Sequence, residues 1–259
     1  MASLVDDEGL LFLWKKKYAL KVTGTIHVGA HLVQESFFYQ KNNFEPVLWV
    51  EAMPEIAKRS EAILSQFDNQ KILNAVLWSA NNVELTFHHT SGEGASSSAF
   101  DLFIHKAVHP NVEVVDTFKV TTTTLDSILS EDYPANLLIM DTQGSELEIL
   151  KGGINSLNRI DYIVSELSIK ELYKNAPKLD QIQNFLQRHG FTLVAAEINR
   201  TVGWGDGLFI RTTILEKSGF SDEQKTIHFV GPKYTAGTFL RAFAIRTGTL
   251  GLLQRMINR

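Results

Sequence analysis

Gly24-Thr25-Ile26-His27-Val28-Gly29-Ala30-His31 is the stretch from which the rest of this chain is read. Ile26 and Val28 belong to a buried strand, and Gly29-Ala30 to a turn too tight for larger side chains. A helix over residues 34–41 is expected next. A small-residue turn between strand and helix lets the backbone approach a ligand where no Cβ intervenes. Twenty-two residues past Gly29, the apolar run Val47-Leu48-Trp49-Val50 ends in Glu51. An acid closing the second strand at that distance is placed to accept hydrogen bonds from a ribose. Turn and acid together read as a nucleoside-binding half-sheet.

The full Gly-x-Gly-x-x-Gly of a nicotinamide site is absent. Counting from Gly24, glycine recurs only at Gly29, and Val33 stands where another would open the helix. A pyrophosphate needs that open backbone at the helix N-terminus. S-adenosylmethionine carries no phosphate, so one tight glycine turn suffices for it. The turn favours a methyl donor over a dinucleotide.

Alternating strands and helices fill the residues that follow. A helix is expected over 57–67, a third strand over 71–77 and a half-buried strand over 83–87. Residues 91–98 form a polar glycine-serine loop, and a strand over 112–120 leads to a short helix at 125–129. Asn136-Leu137-Leu138-Ile139-Met140 is a strand buried on both faces, ending in Asp141. Residues 160–166 repeat the pattern and end in Glu166. An amphipathic helix over 179–189 and an antiparallel pair at 190–194 and 207–210 close the series. Such alternation puts helices on both faces of a mostly parallel sheet. Ligands then sit at the carboxyl ends of the strands, where His27, Glu51, Asp141 and Glu166 collect.

A length of 259 residues suffices for one domain with a sizeable core. Net charge −4 gives no general nucleic-acid signal, and the absence of cysteine excludes disulfides, thiolate metal sites and a cysteine nucleophile. No run approaches a membrane span, and Leu10-Leu11-Phe12-Leu13-Trp14 reads as the apolar side of a leader helix. A cytoplasmic location is expected. After Glu223 there is no acid, while six lysines and arginines follow. Residues 214–259 are therefore expected as a basic, helical extension of a domain spanning 1–213. Phe239, Phe243, Leu250, Leu253 and Ile257 recur near helical spacing there. That helix either packs on the domain or lies peripherally on an anionic membrane surface.

Several motifs occur in one order: Ile26-His27-Val28-Gly29-Ala30-His31, Trp49-Val50-Glu51-Ala52-Met53-Pro54-Glu55, Asp141-Thr142-Gln143-Gly144-Ser145-Glu146 with Leu150-Lys151-Gly152, and Glu166 with Leu172-Tyr173. Over residues 22–212 the chain resembles the FkbM family of S-adenosylmethionine-dependent methyltransferases. The resemblance implies a Rossmann-like class I methyltransferase fold, α/β, with a seven-stranded, mostly parallel sheet. It also implies O-methylation of a hydroxyl on a sugar, glycan or natural product. Gly29 would lie against the methionine part of the donor, Glu51 would bind its ribose, and Asp141 would stand beside the transferred methyl. The donor-binding set is expected to comprise His27, Gly29, Ala30, His31, Glu51, Ala52, Asn74 and Asp141. Many members carry aspartate where this chain has His27, and a neutral imidazole offers no charge to the donor's ammonium group. Glycine is often found where this chain has Val33.

Transfer to a hydroxyl needs an in-line approach and a base for the proton. Asp141, Glu146, Glu166, His105 and His109 are the available bases. Asp141 and Glu166 lead because strand ends are rigid and lie at the ligand edge. Glu146 reads rather as a first-turn acid on the following helix. Asp141 also has the position of a helix cap. His105 and His109, four apart, read as a surface loop, and no metal is expected. The partner is a hydroxyl acceptor; a donor-binding fold without activity, serving a protein partner, is the other class of reading.

Overall fold

The computed structural model describes residues 9–231 and Ile245. At the centre of its sheet lies β1 (Thr25–Val28), every residue of which is buried, as a strand covered on both faces requires. The helix α1 (Leu10–Lys17) precedes it, and α2 (Ser36–Lys41), β2 (Val47–Glu51), α3 (Pro54–Leu64) and β3 (Gln70–Asn74) follow. Next come β4 (Val76–Leu77), β5 (Glu84–Thr90), α4 (His105–Val108), β6 (Val114–Thr123) and α5 (Leu125–Ile128). The second half runs through β7 (Leu137–Met140), α6 (Glu146–Lys151), β8 (Tyr162–Ser168) and α7 (Leu179–Arg188). It closes with β9 (Phe191–Asn199), β10 (Trp204–Arg211), α8 (Thr212–Ser218) and β11 (Thr226–Val230).

Eight strands form the main sheet in the order β11-β9-β10-β8-β7-β1-β2-β3. Neighbours are parallel except around β10, which runs antiparallel to β8 and β9. Seven of these strands are the expected ones. The eighth, β11, comes from the segment expected as a helical extension and pairs along β9. With Leu215 of α8 also buried, residues 214–230 continue the sheet and its cover. The rest of the expected tail helix lies outside the described residues, apart from Ile245, which packs against Ile104, Leu172 and Tyr173. Among the described residues no helix is long and apolar enough to cross a membrane.

The expected third strand divides at Ala75. Before it, β3 pairs with β2; after it, β4 leaves to join β6 and β5 in a separate three-stranded sheet. That second sheet lies over one end of the site described below.

Alternation along the central strands serves two apolar layers. Ile26, Val28, Leu138, Met140 and Ile163 face Ile149, Leu150 and the α7 residues Ile182 and Leu186. Trp49, Leu137, Ile139, Val164 and Leu208 face Leu11 and Trp14 of α1, Tyr39 of α2 and Leu215 of α8. The leader helix thus packs on the sheet as its apolar side requires.

From β1 the chain winds outward through β2 and β3, then returns to β7 on the other side. The crevice where strand order reverses is the usual ligand position in open α/β sheets. Val28 pairs with Met140, so Gly29 and Asp141 leave the sheet side by side. They are in contact: a Cβ on Gly29 would stand 1.8 Å from the Asp141 carbonyl oxygen, and Gly29 has φ +89°. Gly29→Ala combines a left-handed backbone with overpacking, so a loss of about 2–5 kcal/mol is expected. Urea unfolding of the variant reads this directly; a midpoint equal to wild type would show that the two strand ends are not pressed together.

Candidate active site

A cavity of about 550 Å³ opens where these strand ends meet. Its wall combines apolar surface from Val50, Ile56, Ala75, Val76, Leu77, Phe87 and Ile149 with the carboxylates of Glu35, Glu51, Asp141, Glu166 and Asp206. Among the described residues lining it there is no lysine or arginine. His27, Gly29, Ala30, His31, Glu51, Ala52 and Asp141 all border it, as does Glu166. Asn74 does not. Its amide donates to the carbonyls of Glu51 (2.8 Å) and Ala52 (3.1 Å), which ties down the end of β2, and Ala75 borders the cavity instead.

Glu51 is buried and holds two loops together: Oε2 accepts from the His31 amide at 2.8 Å and Oε1 from the Met53 amide at 2.8 Å. Each oxygen retains a lone pair for a ligand hydroxyl. The turn between them is strained, with His31 at φ +43° and buried Val33 at φ +49°. A left-handed valine costs about 1–2 kcal/mol that glycine would not.

His27 faces two aromatic neighbours. Its ring stacks on Trp49 at 4.6 Å between centroids, and its Nδ1 hydrogen-bonds the Tyr39 hydroxyl at 2.8 Å. Burial lowers its pKa to about 3, so the imidazole is neutral.

Asp141 does not cap α6, whose first turn has no side-chain cap. Glu146 shapes that loop instead: its Oε1 accepts from the Thr142 amide (3.0 Å), the Thr142 hydroxyl (3.0 Å) and the Gly144 amide (3.2 Å). It does not border the cavity. His105 and His109 also lie away from the wall, their rings 4.8 Å apart and His105 against Tyr173. Among the described residues no group of three or more His, Asp or Glu could hold a metal ion.

Three residues of the cavity wall were not singled out in the sequence. Gln143 donates from Nε2 to Asp141 Oδ1 at 2.7 Å and to Glu166 Oε2 at 3.3 Å, while its Oε1 accepts from Tyr173 at 2.6 Å. One amide thus bridges the two leading acids. Asp206 lies across from Glu166 on β8 and Glu197 on β9; an acid between Gly205 and Gly207 in an apolar strand was the signal for it. Glu35 stands at the entry to α2 and borders the cavity. The polar loop at 91–98 is also part of the site: Gly94, Ala95 and Ser97 line it, and Ser98 donates to the Gln143 carbonyl at 2.8 Å.

Burial raises the pKa of every one of these carboxyls. Glu35 and Asp206 reach about 7, with the Asp141 charge adding to both shifts. Glu166 is pushed well above the usual range by burial and then by Asp141, Glu146 and Asp206. Asp141 is raised by burial, against which the Gln143 hydrogen bond and His31 work. Neighbouring carboxyls thus work against ionisation of Glu166, while the Gln143 amide and His31 favour the charged form of Asp141.

Residues 27–193 match the model of the methyltransferase FkbM domain, which is more than half of the chain. The chain belongs to the FkbM methyltransferase family. A relative from Sinorhizobium fredii, 2-O-methyltransferase NoeI, is 28% identical over 150 residues. The match covers 55% of this chain and 60% of NoeI, so the chain spans less than two thirds of that relative. Solved structures with a similar layout include magnesium protoporphyrin IX methyltransferase from Synechocystis with bound donor, at 8% identity, TM-score 0.45 and coverage of 78% and 75%. Precorrin-6y C5,15-methyltransferase from Geobacter metallireducens, at 13% identity, has TM-score 0.42 and coverage of 81% and 92%. Neither likeness adds to the assignment, which rests on the family match and the sheet.

The cavity fits the family's donor, S-adenosylmethionine. A sulfonium and an ammonium are both cations, and the wall offers carboxylates with no lysine or arginine among its described residues. The same wall would repel a pyrophosphate. The glycine turn, however, has a different immediate reason from the one expected: the missing Cβ of Gly29 makes room for the Asp141 backbone.

These carboxyls also set a pH dependence. Folded-state values raised above the ordinary ~4 mean that the native state holds more protons than the unfolded one, so stability falls as pH rises through about 7. Neutral His27 and His105, lowered to about 3 and about 4, oppose this only below the unfolded histidine value of ~6.5. The carboxyl effect is alone above that. Thermal unfolding of ligand-free protein should therefore show a midpoint that drops between pH 6.5 and 8.5. A midpoint constant or rising across that window would mean that the acids ionise freely in the fold.

Proposed function

We propose that this FkbM domain transfers the methyl group of S-adenosylmethionine to a hydroxyl of a sugar or glycan, with Asp141 as the base. The observation that supports it is the joint hold of the Gln143 amide on Asp141 and Glu166 at the cavity wall. When bound, the donor would supply an electrophilic methyl on a sulfonium, whose sulfur would leave as a neutral thioether as its bond to that carbon breaks. Asp141, ionised, accepts the proton of the attacking hydroxyl as its oxygen bonds to carbon. Glu166, protonated, donates a hydrogen bond to a neighbouring oxygen of the acceptor. Gln143, fixed by Tyr173, keeps both carboxyls at a set separation, so that positioning supplies much of the rate.

The acceptor side of the wall favours a polyol. Trp204 borders the cavity together with Asp206 and Glu166, and paired acceptors near an aromatic suit vicinal hydroxyls stacked on a ring. The name of the 2-O-methyltransferase relative agrees with a hydroxyl acceptor. Glu51 hydrogen-bonds the donor ribose through its remaining lone pairs, and Ala52, Ala75 and Leu77 enclose its base.

Asp141→Asn keeps the shape and the Gln143 contact but removes the basicity. Transfer to a sugar acceptor should fall by about 10²–10⁴ in kcat while donor affinity changes less than threefold. Labelled donor with a panel of monosaccharides and oligosaccharides measures both. Normal turnover by Asp141→Asn would remove Asp141 as the base, and donor binding without transfer to any hydroxyl compound would favour the binding-only class.

A further inference from the structure

We infer that Glu35 is the residue that binds the α-ammonium group of the donor, in place of a carboxylate at position 27. This rests on the donor reading of the cavity given above. His27 has no capacity for that contact as an ion: it is buried, stacked on Trp49, and its Nδ1 is taken by Tyr39. Glu35 borders the same cavity beside His27 and Gln34. It stands one residue before α2, four residues from Tyr39, and close enough to Asp141 for their charges to interact.

No lysine, arginine or histidine forms an ion pair with Glu35 among the described residues. Its own backbone amide favours the charged form but does not offset the partial burial of the carboxylate, which holds its pKa at about 7. A cation entering the cavity removes that cost, and an ammonium with three donors matches a carboxylate next to the glycine turn. Asp141 lies nearby but is already held by Gln143 and turned to the Glu166 side. The charge that neutral His27 does not supply is thus carried by the residue just before α2.

The test is a two-by-two binding measurement. Titration calorimetry compares S-adenosylhomocysteine with its analogue lacking the α-amino group, on wild type and on Glu35→Gln. In wild type the deaminated analogue should bind about 10–100-fold more weakly, the range for a hydrogen bond between charged groups. In Glu35→Gln the two ligands should bind alike, because the partner of the ammonium is gone. Glu35→Asp, which keeps the charge on a shorter arm, should retain part of the difference and serves if Glu35→Gln does not fold. An unchanged ratio of the two affinities in the variants overturns the assignment while leaving the donor reading intact. Wild type that binds neither ligand overturns the donor reading, and this inference with it.

Discussion

Carboxyls are normally buried only with a cation or a full set of hydrogen bonds, because desolvating the charged form costs several kcal/mol. Around this cavity Glu35, Glu51, Asp141, Glu166 and Asp206 border a shared space, and no lysine or arginine lines it among the described residues. The protein offsets the cost by holding some of them protonated, which is why Glu35 and Asp206 titrate near 7. A fold that keeps such groups together is poised for a cationic ligand. The charge pattern thus narrows the ligand further than the family's sheet does.

The frame that brings the acids together is itself made of small constraints. Gly29 lets the ends of β1 and β7 touch, Glu51 joins the loops after β1 and β2, and Glu146 folds the loop after β7 around its own carboxyl. Across β10, Gly205 and Gly207 admit close neighbours: a Cβ would stand 1.9 Å from the Glu197 carbonyl oxygen or 2.3 Å from a Leu167 methyl. Asp206 is thereby held opposite Glu166. Like charges directly across strands are unfavourable, so the proton shared among these acids belongs to the architecture as well as to the chemistry.

What was legible in the sequence were features with local causes. Strand-end acids after apolar runs located Glu51, Asp141 and Glu166, because a strand delivers its last residue to one sheet edge. Asn74, expected in the donor set, does not border the cavity, because its amide is taken by the carbonyls of Glu51 and Ala52. Gln143 and Asp206 depended on partners more than twenty residues distant, Tyr173 and Glu166, which spacing alone does not reveal. Glu35 was not singled out, since nothing local shows that the residue before α2 borders the cavity. β11 was hidden for another reason: its short alternating run lies in the basic stretch read as a helical extension, and it joins the sheet only at an edge.

The central claim is that cation binding here is linked to carboxyl ionisation. Its most direct measure is the number of protons exchanged when S-adenosylmethionine binds at pH 7, from calorimetry in buffers of different ionisation enthalpy. Glu35, Asp141, Glu166 and Asp206 face the ligand with Glu51, and the histidines beside them are His27, held neutral, and His31. The account predicts net release of about one proton, and a smaller release with S-adenosylhomocysteine, which has the ammonium but no sulfonium. Binding with no proton release, or with uptake, would contradict it.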